Sequence, residues 1–295
     1  MVKRRLFERG VEKVLFACAF LSVAAVLFIT VFLFQRGIPL FRKVSVLEFL
    51  FSTRWEPTAE NPGYGILSFI LGSLWVTLLS LVIAVPVGLS AGIYLAELSD
   101  KRSSTAIRSA VELLAGIPSV VYGLFGIAVI TTISRTVFGG SGYNVASAAL
   151  VLSIMTLPTI INITEVSLRA LPRELKEGSL ALGATHWQTI VKVLLPAARS
   201  GILAGVILGM GRAIGETMAV LMVGGNAPIP PEGLSGMVRT LTMNIITDMS
   251  YAVGDHLTSL FTTGIVLFLF ILILNLIVQL ALKSSISGIE GDTGA

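Results

Sequence analysis

Six stretches of this chain stay apolar long enough to cross a bilayer: about 14–34, 66–95, 112–133, 145–164, 201–223 and 257–282. A spanning helix needs roughly 20 mostly apolar residues. The pattern predicts an all-α integral membrane protein with six transmembrane helices in a single domain, 1–295. Between the fourth and fifth stretches lies an island of different character, Glu177–Pro196. Gly183 marks a break there, because glycine takes positive φ without strain. Thr185 reads as an N-cap, with Gln188 at the capping-box spacing. Trp187, Ile190, Val191 and Leu194 follow at i, i+3, i+4, i+7, one apolar helical face. Pro196, which has no N–H, is expected to end that helix. Two short helices meeting at Gly183 would suit docking with a soluble partner.

Other positions punctuate the long segments. Pro57, Asn61, Pro62 and Gly63 exclude a long helix from the loop at 35–65. Pro86, Pro118 and Pro158 fall inside helices 2, 3 and 4. Each frees the carbonyl four residues earlier, on Val82, Leu114 and Ile154. In lipid that group needs another partner, and three such sites suggest kinks. Gly201, Gly205, Gly209, Ala213 and Thr217 form a small-residue stripe on helix 5, with Gly211 and Gly215 on a second. Such stripes let backbones approach closely, within the chain or between subunits. In the long segment 224–256, Met237, Leu241, Ile245 and Met249 form one row, which suggests a short helix at the membrane surface or dipping in.

Composition agrees with the pattern: 54% of residues are hydrophobic and 13% charged, against about 25% charged in soluble domains. The net charge of +4 reflects orientation and carries no signal for nucleic acid. Lys3, Arg4, Arg5, Arg9 and Lys13 precede helix 1. Lys101, Arg102 and Arg108 lie between helices 2 and 3. Arg169, Arg173, Lys176, Lys192 and Arg199 lie between helices 4 and 5. The positive-inside rule then places both termini and the 177–196 loop in the cytoplasm of a multi-pass cytoplasmic-membrane protein. Arg36, Arg42, Lys43 and Arg54 run against it, but an even number of spans and the other loops outweigh them. The first apolar run is too long for a cleaved signal and no small-x-small site follows, so it reads as an anchor helix. The lone Cys18 excludes a disulfide framework, and His186 and His256 are too far apart for a metal site.

Arg212 and Glu216 stand in the middle of the fifth stretch. An Arg at a helix centre costs roughly 2.5–3.5 kcal/mol on insertion scales. The i, i+4 spacing puts the two on one face, where they can pair. A guanidinium binds tetrahedral oxyanions with paired N–H bonds. A neighbouring carboxylate tolerates an anion that still carries a proton, as phosphate does and sulfate does not. The pair is therefore expected to lie on a substrate pathway and to favour phosphate.

Four stretches resemble a known family. Glu177-Gly178-Ser179, Gly183 and Val193-x-Leu195-Pro196 match the coupling loop of ABC-importer permeases: E-A-A, three residues, G, nine residues, I-x-L-P. Gly178 and Ser179 replace the alanines and Val193 the isoleucine. Arg54-Trp55-x-Pro57, Glu112–Gly123 and above all Gly211-Arg212-Ala213-Ile214-Gly215-Glu216-Thr217-Met218-Ala219-Val220 resemble phosphate-specific ABC importer permeases of the PstC type.

The resemblance implies the type I importer permease fold and import of phosphate by alternating access. It implies a PstA-like second permease, two copies of an ATP-binding subunit on the cytoplasmic loops, and an extracytoplasmic phosphate-binding protein. Glu177, Gly178, Ser179, Gly183, Thr185, Trp187, Leu195 and Pro196 would couple to the ATPase. No phosphate-binding glycine loop occurs here, so ATP would be hydrolysed by another chain, and this chain is expected to bind no cofactor or metal and to be no enzyme. The alternatives are a permease for sulfate, molybdate or phosphonate, an intramembrane lipid-phosphate enzyme, and a structural or receptor subunit. The last would not need a mid-membrane Arg–Glu pair. The enzyme would need a nucleophile or metal cluster that the spans lack.

Overall fold

The computed structural model describes residues 2–290, with side chains described for 11–277 and 280. Among these residues six segments are long and apolar enough to cross a membrane: Val11–Arg42, Leu67–Leu98, Ser119–Phe138, Val145–Arg169, His186–Gly215 and Gly254–Ile277. The number matches the apolar pattern. The boundaries differ where proline and glycine act.

The first helix, α1 (Val2–Gly37), runs into a 3-10 turn at Ile38–Arg42, followed by α2 (Val46–Phe51). A two-residue hairpin comes next, β1 (Trp55–Glu56) antiparallel to β2 (Gly63–Tyr64), with Trp55 opposite Tyr64. The turn-rich 57–63 stretch thus excludes a long helix, as its prolines and glycine dictate. Helix α3 (Leu67–Ile93) contains Pro86 and ends in a π turn at Tyr94–Leu98.

Pro118 does not kink a helix from within. Helix α4 (Lys101–Gly116) is amphipathic and capped by Asp100, whose carboxylate accepts from the Arg102 and Ser103 amides. Ile117 is extended, as a residue before proline prefers. The spanning segment starts only at α5 (Ser119–Phe125), passes a π turn at Gly126–Ile130 and ends in α6 (Thr131–Phe138). The expected third span therefore splits, and Glu112–Gly116 belongs to the amphipathic helix.

Helix α7 (Val145–Arg169), capped by Asn144, is the most enclosed element. Glycines of two other helices touch it. A Cβ on Gly88 of α3 would lie 2.7 Å from Ile160. The island follows as α8 (Arg173–Ala181) and α9 (His186–Thr189). A π turn at Ile190–Leu194 then joins α9 to α10 (Leu195–Gly215), so Pro196 does not end the helix. The Leu195 amide reaches back five residues to Ile190, and this wider turn absorbs the defect that proline introduces.

On α10 the first small-residue stripe packs inward: Gly201, Gly205 and Gly209 face Ser167, Ile163 and Ile160 of α7. Gly211 and Gly215 have nothing within 4 Å of a Cβ position. After a break come α11 (Met218–Val223) and α12 (Leu241–Asp248), started by a Thr240 cap. The expected four-residue row is only partly helical. Met237 and Met249 lie outside α12 and are exposed, while Leu241, Met243, Asn244 and Asp248 are buried. The last helix, α13 (Gly254–Glu290), packs on α1 through Phe32–Phe261 and Phe34–Phe268 edge contacts.

Candidate functional site

The 177–196 loop is built from its own local signals. Gly183 has φ +84°. The Ala184 amide bonds to Ser179 O and the Gly183 amide to Leu180 O. This is the Schellman closure of a helix C-terminus, which needs a left-handed residue at that position. Thr185 and Gln188 form both halves of the capping box. The hydroxyls of Ser179 and Thr189 meet at 3.0 Å and tie the two helices together. Thr189, Ile190 and Leu194 are buried, with Leu168, Ala198 and Ile202 forming the core of this end.

The expected apolar face is thus split. Ile190 and Leu194 pack inward, whereas Trp187 is 64% exposed and Leu182, beside the break, 91% exposed. Glu177 and Gly178 are also exposed, and nothing in the chain lies within 4 Å of a Cβ on Gly178 or Gly183. The small residues of the triplet leave space outside the chain. Leu195 is half-buried, and Pro196 is exposed at the second position of α10.

Arg212 and Glu216 are not a paired couple inside one helix. The helix stops at Gly215, and Glu216 is extended (φ −69°, ψ 135°). Its Oε1 accepts from the Thr217 amide at 3.0 Å and the Ala219 amide at 3.2 Å. It therefore caps the free N–H groups that open α11. Its main-chain carbonyl accepts from the Thr242 hydroxyl at 3.0 Å, which pins α12 against the break. Among the described residues Arg212 makes no ion pair or hydrogen bond. Its side chain is exposed on the face of Gly211 and Gly215.

Two polar clusters escaped the sequence reading. At the island's end, the Glu97 carboxylate meets Lys176 Nζ at 2.5 Å and lies 3.8 Å from His186 Nε2. Nearby, buried Glu165 pairs with Arg108 of α4 and with Arg169. A cleft of about 480 Å³ opens between them, bounded by Glu97, Arg169, Arg173, Lys176 and Leu180. These cations appear in the sequence only as orientation charges. The usable signal was an acidic residue at the last turn of two apolar runs.

At the other cluster, buried Asp248 accepts from Trp55 Nε1 (3.0 Å), the Tyr251 hydroxyl (2.7 Å) and Arg239 Nη1 (3.4 Å), with His256 Nε2 at 3.3 Å. Burial pulls the Arg239 guanidinium below its usual range, and Asp248 opposes that pull. These residues come from the hairpin, α12, α13 and the segments flanking α12, and no spacing in the sequence unites them.

The family model described as "binding-protein-dependent transport system inner membrane component" matches residues 84–284. The "probable ABC transporter permease protein YqgH" of Bacillus subtilis is 42% identical over 281 residues, covering 92% of this chain and 91% of that protein. The "phosphate transport system permease protein PstC" of Mesorhizobium japonicum is 34% identical, covering 84% of this chain and 80% of its own length. A crystal structure of a bacterial ABC transporter involved in import of the acidic polysaccharide alginate aligns with a TM-score of 0.63 at 15% identity, over 95% of this chain and 99% of that one. The fold is that of type I ABC importer permeases.

Proposed function

The chain belongs to the family of binding-protein-dependent transport system inner membrane components, and on that premise we propose that it is the permease subunit of an ATP-driven phosphate importer. Arg212 carries the proposal. A guanidinium midway along the apolar 201–223 stretch is costly without an anion, and the Glu216 carboxylate is turned to backbone amides instead. The open Gly211–Gly215 face leaves the charge where a second permease subunit and a passing oxyanion would meet it. Guanidinium chemistry suits any tetrahedral oxyanion. The choice of phosphate leans on the relatives named as phosphate permeases.

In this reading both termini and the 177–196 loop are cytoplasmic. The exposed Leu182 and Trp187, beside the open Gly178 and Gly183, dock a separate ATP-binding subunit, present in two copies. A PstA-like permease completes the pore, and an extracytoplasmic phosphate-binding protein delivers the ion. ATP-driven closure moves the loop, the ends of α7 and α10 follow, and the pathway alternates its access. ATP hydrolysis belongs to the partner, and this chain binds no cofactor.

The test is phosphate uptake by the reconstituted complex, with sulfate and molybdate as competitors. Arg212→Gln is expected to abolish uptake while the subunits still copurify. Uptake at the wild-type rate in that variant refutes the assignment of Arg212. Preferential uptake of another oxyanion by the wild-type complex refutes phosphate as the cargo.

A further inference from the structure

Glu97 stands where three elements meet. It lies in the π turn that ends the second span, with its side chain only 9% exposed. Lys176, its 2.5 Å partner, is on α8, before the Gly183 break. His186, 3.8 Å away, is the first residue of α9, after the break. One carboxylate therefore faces both arms of the loop. Lys176 pairs with it from α8, and His186 Nε2 stands 3.8 Å away on α9 without a hydrogen bond, so a tilt of α8 changes a charge contact to the second span.

The same π turn is held from its other side. The Arg169 guanidinium donates to the Leu95 carbonyl at 2.8 Å and to Glu165 at 2.9 Å. Glu165 in turn pairs with Arg108 on α4. Leu95 is buried, as is Glu165. The 177–196 loop is thus connected through two carboxylates to the ends of α3 and α7 and to α4. Apolar contacts can slide, whereas a short ion pair to a mostly buried carboxylate holds one geometry or is lost.

We propose that Glu97, paired with Lys176 and flanked by His186, is the latch that converts movement of the 177–196 loop into movement of the second span, with Glu165 and its two arginines passing it to α7 and α4. Glu97 and Lys176 are positioning residues and touch no substrate. The inference rests on the reading of this chain as an ATP-driven permease. Coupling between sites requires a shared element whose state both bias, and the π turn at Tyr94–Leu98 is that element.

The experiment uses the whole complex in proteoliposomes and measures ATP hydrolysed per phosphate imported. Absence of ATP-dependent import by the wild-type complex would refute the permease reading itself. With wild-type import present, Glu97→Gln and Lys176→Gln are each expected to raise the ATP used per phosphate at least about fivefold, the lower range of typical coupling energies. Lys176 is half-exposed, so its variant keeps the test available if Glu97→Gln does not assemble. The charge swap Glu97→Lys with Lys176→Glu is expected to restore the wild-type ratio, which a merely structural role would not require. A wild-type ratio in Lys176→Gln overturns the latch. So does loss of ATPase copurification in that variant, which would make Lys176 a docking residue, and so does a swap that assembles and stays uncoupled.

Discussion

The Tyr122 hydroxyl donates to the Leu114 carbonyl at 2.7 Å, across the break that Pro118 makes between α4 and α5. Leu114 is the residue whose carbonyl a proline four positions on must release. The Ile117 amide reaches the same oxygen at 3.2 Å. Two donors thus replace the missing one, and the chain turns from an amphipathic helix into a spanning one. Tyr122→Phe keeps the ring and removes one donor. It is expected to destabilise the subunit by about 1 kcal/mol, the usual net worth of a hydrogen bond. Thermal unfolding in detergent measures it, and an unchanged midpoint would show that Ile117 alone satisfies the carbonyl.

Glu216 gives a sharper contrast between two substitutions. Glutamine retains a carbonyl oxygen that can accept from the Thr217 and Ala219 amides, and alanine retains none. Glu216→Ala is expected to lose about 1 kcal/mol of stability through the missing cap and to impair uptake as the Arg212 segment loosens. Glu216→Gln is expected to stay near wild type in both. If the two variants behave alike in uptake and melting, capping is not the role of this carboxylate.

The glycines of α10 divide by what they face. A Cβ on Gly205 would lie 3.0 Å from Ile163 of α7, while one on Gly211 meets nothing in the chain. Gly205→Leu is therefore expected to cost about 1–3 kcal/mol by overpacking and to lower the yield of folded subunit. Gly211→Leu is expected to leave the isolated subunit intact and to weaken its association with the second permease. Copurification of the two permeases distinguishes these outcomes.

The number of spans was legible because long apolar runs have no other use in so hydrophobic a chain. The 183–188 turn was legible because Gly183, Thr185 and Gln188 act within one helical turn. Segment ends were not. Pro118 could be read as a kink or as a boundary, and only the extended Ile117 decides. Pro196 looked like a stop, and a π turn before it carries the helix through. The Arg212–Glu216 spacing implied a pair only if the helix continued, and Gly215 ends it. The Glu97 and Asp248 clusters join residues 79 and 193 positions apart, and local periodicity holds no trace of such contacts.

The Asp248 cluster should respond to alkali through Tyr251. Its hydroxyl is raised above the ordinary tyrosine value, first by donating to Asp248, then by burial and by the Asp248 charge. A folded-state value above the unfolded one means the bond contributes fully below about pH 10 and is lost as pH rises through the folded value. The Trp55 indole shares the same carboxylate, so its emission reports the change once Trp75, Trp187 and Tyr64, which stands opposite Trp55, are replaced by Phe. Wild-type emission is expected to shift in an alkaline step above about pH 10, and Tyr251→Phe is expected to lack that step at otherwise similar stability. Arg239 and His256 face the same carboxylate, yet a step that persists in Tyr251→Phe would move the titration to another group and remove Tyr251 from this role.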